Sequence, residues 1–377
     1  MLNNIKHIIN THYNNFRGWR TNRKLIVIES DDWGSIRMPS REVFEKYSNL
    51  GYDIKSDPYN RFDTLANSTD LNALYEVLKK YKDRSGNHPV ITFNTVVANP
   101  DFSRIKATDY TEYYYEPFTE TLKRYYPDEN VFALWQQGMN ESLICPQFHG
   151  REHVNVPVWL ELLRNGNKPL LDSFELGFWG IPQTLYSPTK SIQASYNSAK
   201  PEHLAEYKTT IKEGLRLFEQ LFGYKSQTFI ANNFIWAIEL NEILSEMKVK
   251  GLQGMHYHIF PKNNREIGLN RVFTGKRNAY KQIYTIRNCH FEPSQTSSKY
   301  DDINNCLRDI QRAFFWEKPA IISSHRINFI GSLSENNRKH NLLGLNTLLK
   351  EILRKWPDVE FVNSADLLRI INYYECR

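Results

Sequence analysis

Short apolar runs alternate with amphipathic stretches along the whole sequence, and this rhythm limits the possible folds more than any other feature. Runs at Leu25–Ile28, Val90–Val97, Leu143–Phe148, Thr228–Ala231, around Leu252, Gln282–Asn288, Ala320–Ser323 and Val359–Val362 have the length of buried strands. Helical spacing follows in between. Leu71, Leu74, Val77 and Leu78 share one face, as do Tyr207, Ile211, Leu215, Phe218 and Phe222, with Gly223 as a stop. Ser40–Ser48, Val156–Arg164, Ile235–Met247, Ala365–Ile371 and the stripes beginning at Ile303 and Leu342 read as further helices. Such alternation calls for a parallel sheet covered by helices. About seven or eight strands suit a barrel better than a small open sheet. Pro146 counts against a central strand at its position. Residues 103–141, 177–200 and 256–280 break the rhythm and read as insertions in a single α/β-barrel domain spanning 23–377. Residues 1–22 form a basic, amphipathic arm.

A hydrophobic fraction of 41% over 377 residues is ample for a core. The 22 Tyr, 21 Phe and 8 Trp suit a surface that stacks on sugar rings, and equally an ordinary core. A formal charge of +6 fits an anionic partner without selecting one. No dense Lys/Arg run with interleaved aromatics reads as a nucleic-acid groove, and no GxGxxG or GxxxxGK[ST] sequence cradles a nucleotide. Cys145, Cys289, Cys306 and Cys376 form no CxxC pair or disulfide framework, so a reducing compartment is expected. The sequence holds no secretory apolar segment near its start and no run long enough to span a bilayer. A cytoplasmic protein is expected, with at most peripheral contact at the inner membrane face. Phe16, Arg17, Trp19, Arg20, Arg23 and Lys24 could rest on anionic lipid or pack back on the domain.

Three clusters carry chemistry. Asp31-Asp32 ends the first apolar run, where two adjacent carboxylates are costly to bury without a cation. Their side chains leave a regular strand in opposite directions. Each could otherwise cap the next helix. His149 and His153, at i and i+4, can face one divalent ion. They are not HExxH, because Glu152 directly precedes the second histidine. His325 follows Ala320–Ser323 and is placed to be a general acid, a ligand or a simple turn residue.

In this order, strand–Asp-Asp, strand–HxxxH and late strand–His, the chain resembles the NodB-type polysaccharide deacetylases, metal-dependent carbohydrate esterases. The resemblance runs from about Leu25 to Ile371 and includes the strand Ile91-Thr92-Phe93-Asn94. It implies a distorted (β/α)7-type barrel, Asp31 as catalytic base, His325 as catalytic acid, and Asp32, His149 and His153 as ligands of a divalent metal. Zinc is the implied ion, with cobalt or another divalent ion as alternatives. The implied substrate is an N- or O-acetylated sugar, oligosaccharide or polysaccharide. The chain departs from the pattern at three places. Gly150 stands where the family has Ser or Thr. The family's arginine, which holds the base, is missing from Thr228–Asn233, so Arg287 or Arg151 would substitute. The family's Asp-x-x-Asp-Trp element is missing from Arg287–Glu292, which leaves Glu292 to orient His325.

Two other readings compete. A glycoside hydrolase would pair Asp31 with Asp172 or Glu175 and leave the HxxxH idle. A sugar-binding protein that has lost activity would account for the missing motifs.

Overall fold

The computed structural model describes residues 15–262, 266–295 and 299–375; the arm's residues 1–14 and Cys376 lie outside them. One sheet contains β1 Lys24–Trp33, β2 Ile91–Val96, β3 Ile144–Gly150, β4 Thr228–Phe229, β5 Gly251–Gly254, β6 Ile283–Ile286, β7 Cys289–His290, β8 Ala320–His325 and β9 Val359–Phe361. All its pairings are parallel. The order is β6-β5-β4-β3-β2-β1-β8-β7, with β9 on the first residues of β1.

The two ends of this order belong to one stretch of chain. β6 pairs with β5, and the Arg287 N–H then donates to the Gly254 carbonyl at 2.9 Å. The next residue turns to the other neighbour: the Asn288 N–H donates to the Ile321 carbonyl at 3.1 Å, and Cys289 pairs with Ile322. The strip from Ile283 to His290 thus bonds β5 with its first half and β8 with its second. The sheet closes into a distorted (β/α)7-type barrel whose staves are β1, β2, β3, β4, β5, this strip and β8.

Pro146 sits inside β3 without breaking it. Its nitrogen faces the same side as that of Phe148, toward β4, and pairing with β4 begins only at Phe148. The missing donor therefore has no ladder partner to lose. The apolar stripe of the helix Pro201–Phe222 is buried, and Gly223 closes it at φ 77. The helix expected at Ile235–Met247 is reduced to Leu240–Glu246. Asn233 and Phe234 have φ 55 and 60, and Ile235 is extended and bridges to Ile259, so the chain there cannot be helical. Region 103–141 is more regular than expected, with helices Phe102–Ala107, Phe118–Tyr125 and Val131–Asn140. Region 256–280 holds an antiparallel hairpin, Tyr257–Pro261 with Ile267–Arg271. Region 177–200 is a long loop with one short turn, Gln183–Leu185.

The described part of the arm packs back on the domain. Phe16 meets Trp316 edge to face, the Trp19 N–H donates to the Thr274 carbonyl at 2.8 Å, and the Thr21 N–H donates to the Glu317 carbonyl at 2.8 Å. No helix among the described residues is long and apolar enough to cross a membrane.

The helix Pro201–Phe222 lies so close to the end of β3 that a Cβ on Gly214 would fall 2.7 Å from Phe148 Cζ and 2.9 Å from Arg151 Cβ. Gly214→Ala gains about 1 kcal/mol of helix propensity, but the overpacking it forces costs about 1–3 kcal/mol. Urea unfolding is expected to show a net loss of stability. A more stable variant would contradict this close approach.

Candidate metal centre and active site

Two β-bulges break the regular alternation of side chains where the site is built. Between β1 and β2, Ser30 pairs with Phe93 and then Trp33 with Thr95, so Asp31 and Asp32 together stand opposite Asn94. Between β2 and β3, Thr95 pairs with Phe148 and Val96 with Gly150, which leaves His149 as the extra residue. Bulges re-aim side chains. With Asp32 at φ 70, both carboxylates line one cavity of about 410 Å³ instead of parting to opposite faces, as a regular strand would send them. His149, His153 and His325 line the same cavity.

Asp32, His149 and His153 form a group that can hold a metal ion. Asp32 Oδ1 lies 3.3 Å from His149 Nε2 and 3.0 Å from His153 Nε2. The edge of a tetrahedron with zinc-type bonds of about 2.0–2.1 Å is about 3.3 Å, so the spacing fits. His149 Nδ1 lies 2.9 Å from the Ile230 carbonyl. Only a protonated Nδ1 can donate to that oxygen, which leaves Nε2 with its lone pair toward the cavity. Burial, opposed by the Asp32 carboxylate, pushes His153 down to about 4, so its ring is neutral and able to ligate. Burial disfavours charge on Asp32, yet the His153 ring beside it and the Arg37 guanidinium outweigh burial and hold its carboxyl well below the usual range.

Asp31 is held by other groups. Arg287 donates Nη1 to Oδ2 at 2.7 Å and Nη2 to Oδ1 at 2.6 Å, a bidentate clamp. Asn94 adds Nδ2 to Oδ1 at 2.7 Å. Burial works against the charge, but Arg287 wins and brings Asp31 down to about 2. The same guanidinium donates Nε to Glu29 Oε2 at 2.8 Å, and Glu29 is further bonded by Ser364. Of the two arginines considered from the sequence, Arg287 is the one on Asp31. Arg151 turns to Glu152 and Glu213 instead.

His325 Nε2 is 3.8 Å from Asp31 Oδ2, and its Nδ1 is 2.6 Å from Glu292 Oε1. Burial alone would lower its pKa; Glu292, with help from Asp31, raises it to about 9. Asn328 and Gln295 fix the other oxygen of Glu292 at 2.8 and 3.1 Å. Asp172 and Glu175 are not brought to the cavity. Asp172 bonds Tyr52 and Lys168, and Glu175 bonds Lys106, so the glycosidase pairing with Asp31 is not formed.

Sequence reasoning missed Arg37. It is buried, its Nη2 lies 3.2 Å from Asp32 Oδ2 and 3.4 Å from His153 Nε2, and its guanidinium sits over Trp179 and Tyr59. Trp179, from the 177–200 loop, also stacks on the His153 ring at 5.4 Å. Nothing in the spacing of an arginine after Asp-Asp-Trp-Gly marks it as a site residue. The structure also accounts for Gly150. It has φ 125, and a Cβ there would lie 3.0 Å from the Glu152 carbonyl oxygen and 3.2 Å from Tyr196 Oη. A Ser or Thr there would be strained by the positive φ and crowded by these oxygens.

Two outcomes follow from this geometry. Arg287→Met leaves Glu29 and Asp31 buried without a cation, and urea unfolding is expected to show a loss of about 3–5 kcal/mol. A loss below about 1 kcal/mol would mean that the clamp is not what stabilises these carboxylates. The His325–Glu292 pair also makes stability depend on pH. The folded pKa of His325, about 9, exceeds an unfolded value of about 6.5. Its stabilisation is therefore complete below about pH 6.5 and is lost as pH rises through about 9. In EDTA, the stability gap between wild type and His325→Gln is expected to shrink from pH 6 to pH 10. A gap that widens would reverse the sign assigned here.

No family model matches the sequence, and no curated relative does. Among solved structures, the chain is similar to a Mycobacterium smegmatis protein assigned as a polysaccharide deacetylase, with 10% identity, coverage of 95% of this chain and 94% of that chain, and a TM-score of 0.44. It is also similar to the peptidoglycan deacetylase PdaC of Bacillus subtilis, with 12% identity, 94% of each chain covered and a TM-score of 0.39. A carbohydrate esterase family 4 pseudoenzyme from Bacillus anthracis aligns at 10% identity over 92% of this chain and 66% of that chain, with a TM-score of 0.39. None of these neighbours transfers an activity at such distances; what the chain can do is read from its own side chains. In the order of its motifs, the chain resembles the polysaccharide deacetylases.

Proposed function

We propose that the protein is a metal-dependent hydrolase that removes acetyl groups from an N- or O-acetylated sugar, oligosaccharide or polysaccharide. The observation that carries this reading is the meeting, in one cavity, of a ligand triad, a clamped carboxylate and a backed imidazole. A regular strand would have kept these groups apart. Zinc suits one carboxylate and two imidazoles, and cobalt or another divalent ion would also fit. When bound, such an ion acidifies a water and polarises an acyl oxygen.

The remaining work falls to the chain. Asp31, ionised and fixed by Arg287 and Asn94, orients the attacking water and takes its proton. His325 is protonated below about pH 9 and presents Nε2–H to the leaving nitrogen or oxygen. Glu292 keeps that proton on the ring and sets the ring's orientation. Arg37 adds a fixed positive charge beside the place where negative charge develops. Acetate and a free amino or hydroxyl sugar are the products. Cys145, Cys289 and Cys306 are free thiols, which supports work in a reducing, cytoplasmic setting on a biosynthetic intermediate.

A second reading, a sugar-binding protein without activity, has one observation in its favour. Arg37 places a cation 3.4 Å from the ring nitrogen that would ligate the metal. Zinc titration followed by calorimetry separates the two. Wild type is expected to bind one ion and His149→Ala/His153→Ala none; equal binding by both would end the metal reading. On an acetylated substrate, Asp31→Asn is expected to keep the ion and lose most acetate release, about 100-fold or more. Asp32→Asn should lose both, and His325→Ala should keep the ion and lose most rate on amides. Near-normal turnover by Asp31→Asn would show that another group is the base.

A further inference from the structure

Two surface grooves share residues with one another, and the first is lined by near neighbours of two cavity residues. Tyr59 and Gln295 line the cavity. Their neighbours Arg61 and Phe62, and Pro293 and Ser294, line the larger groove. The Gln295 Nε2–H donates to Tyr59 Oη at 3.2 Å, so one hydrogen bond is the sill between cavity and groove. Arg61, Phe62 and Ser334 continue into the second groove, whose far wall carries Arg41 and Lys55. The two grooves have volumes of about 740 and 540 Å³, room for sugar units beyond the one in the cavity.

The charge of this surface is one-sided. Arg41, Lys55, Arg61 and Lys339 line the two grooves, and no Asp or Glu among the described residues does. Arg41 and Lys339 are drawn to Glu45 and Glu335 on their own helices. Arg61 is exposed and lies over the Phe62 ring, 4.5 Å from its centroid. Lys55 is also exposed. A guanidinium spread on an aromatic face beside an ammonium offers flat contact for a sugar ring and two charges for its acidic substituents.

We propose that these grooves are the substrate's extended binding cleft and that Arg61 and Lys55 select an oligosaccharide bearing anionic groups over a neutral one. This deepens the deacetylase reading and rests on it for the placement of the reacting sugar in the cavity. The test is therefore of binding, which needs no turnover. Calorimetry compares two hexasaccharides that both carry N-acetyl groups: hyaluronan hexasaccharide, with alternating glucuronates, and neutral chitohexaose. At low salt the hyaluronan fragment is expected to bind about tenfold more tightly, an advantage that falls away in about 0.3 M salt. Arg61→Ala/Lys55→Ala is expected to remove that advantage, bringing the affinities for the two hexasaccharides within about twofold of each other. Lys248→Ala/Lys250→Ala, a basic pair elsewhere on the surface, is expected to change neither. Equal affinity for the two hexasaccharides, no binding of either, or loss of the advantage in the Lys248/Lys250 variant instead would each overturn the proposal. Acetate release measured alongside keeps the readings apart. Release at equal efficiency from both sugars would remove the cleft's selectivity and leave the deacetylase reading intact.

Discussion

The Arg287 guanidinium is the contact on which most of the site depends. It sits at the joint of the strip that closes the barrel, between the part bonded to β5 and the part bonded to β8. From there it reaches Glu29 and Asp31 on β1, Ser323 on β8 and Gln253 on β5. A fully buried arginine flanked by two buried carboxylates stabilises only if all three stay paired; removing one partner leaves a charge with no compensation. Closure of the barrel and placement of Asp31 are therefore coupled. A strip that drifted away from β8 would also withdraw the clamp from the carboxylate proposed as base.

The bulges solve a second problem. Parallel strands give each residue one face, and a strict alternation cannot aim Asp31 and Asp32 at one point. The extra residues lie in β1 and β3, on the two sides of β2, opposite Asn94 and next to Thr95, where they re-aim the side chains of both neighbours. Asp32 tolerates φ 70 better than a bulky or β-branched residue would, which makes the second aspartate the natural site for the kink.

The barrel was legible because its signals are local: apolar runs of strand length, stripes such as Tyr207 to Phe222, and a stop at Gly223. The identity of the residues around the site was legible through the order of Asp31-Asp32, His149 with His153, and His325. Their roles stay proposals. What could not be read was anything fixed by contacts distant along the chain. Arg287 and Arg151 were indistinguishable as partners of Asp31 until β6 and β1 were seen to converge, 256 residues apart. Arg37 gave no signal, because its place depends on Trp179 arriving from a loop more than a hundred residues away. The helix expected from Ile235 failed for a different reason. Its periodicity was adequate, but Asn233 and Phe234 take left-handed backbone at the cavity wall and delay the helix to Leu240.

Gly150 and the missing family arginine can be understood together. Glycine at φ 125 lets Tyr196 and Asn232 close over the position where the family has a hydroxyl side chain. Asn232 comes from the segment in which the family's arginine would stand, and it is followed by the left-handed pair Asn233 and Phe234. With that segment turned toward Gly150 and the cavity wall, it carries no cation to Asp31. The clamp is supplied from the next staves round the barrel, by Arg287. Asn94 and Gln253 link the two sides of this exchange, since Asn94 donates to both Asp31 and the Gln253 side chain, and Gln253 in turn donates to Thr228 at the start of the same β4 segment. The carboxylate is thus held in place by a buried polar layer that spans β1, β2, β4 and β5 and that meets Arg287, so a network, and not a single residue, fixes it.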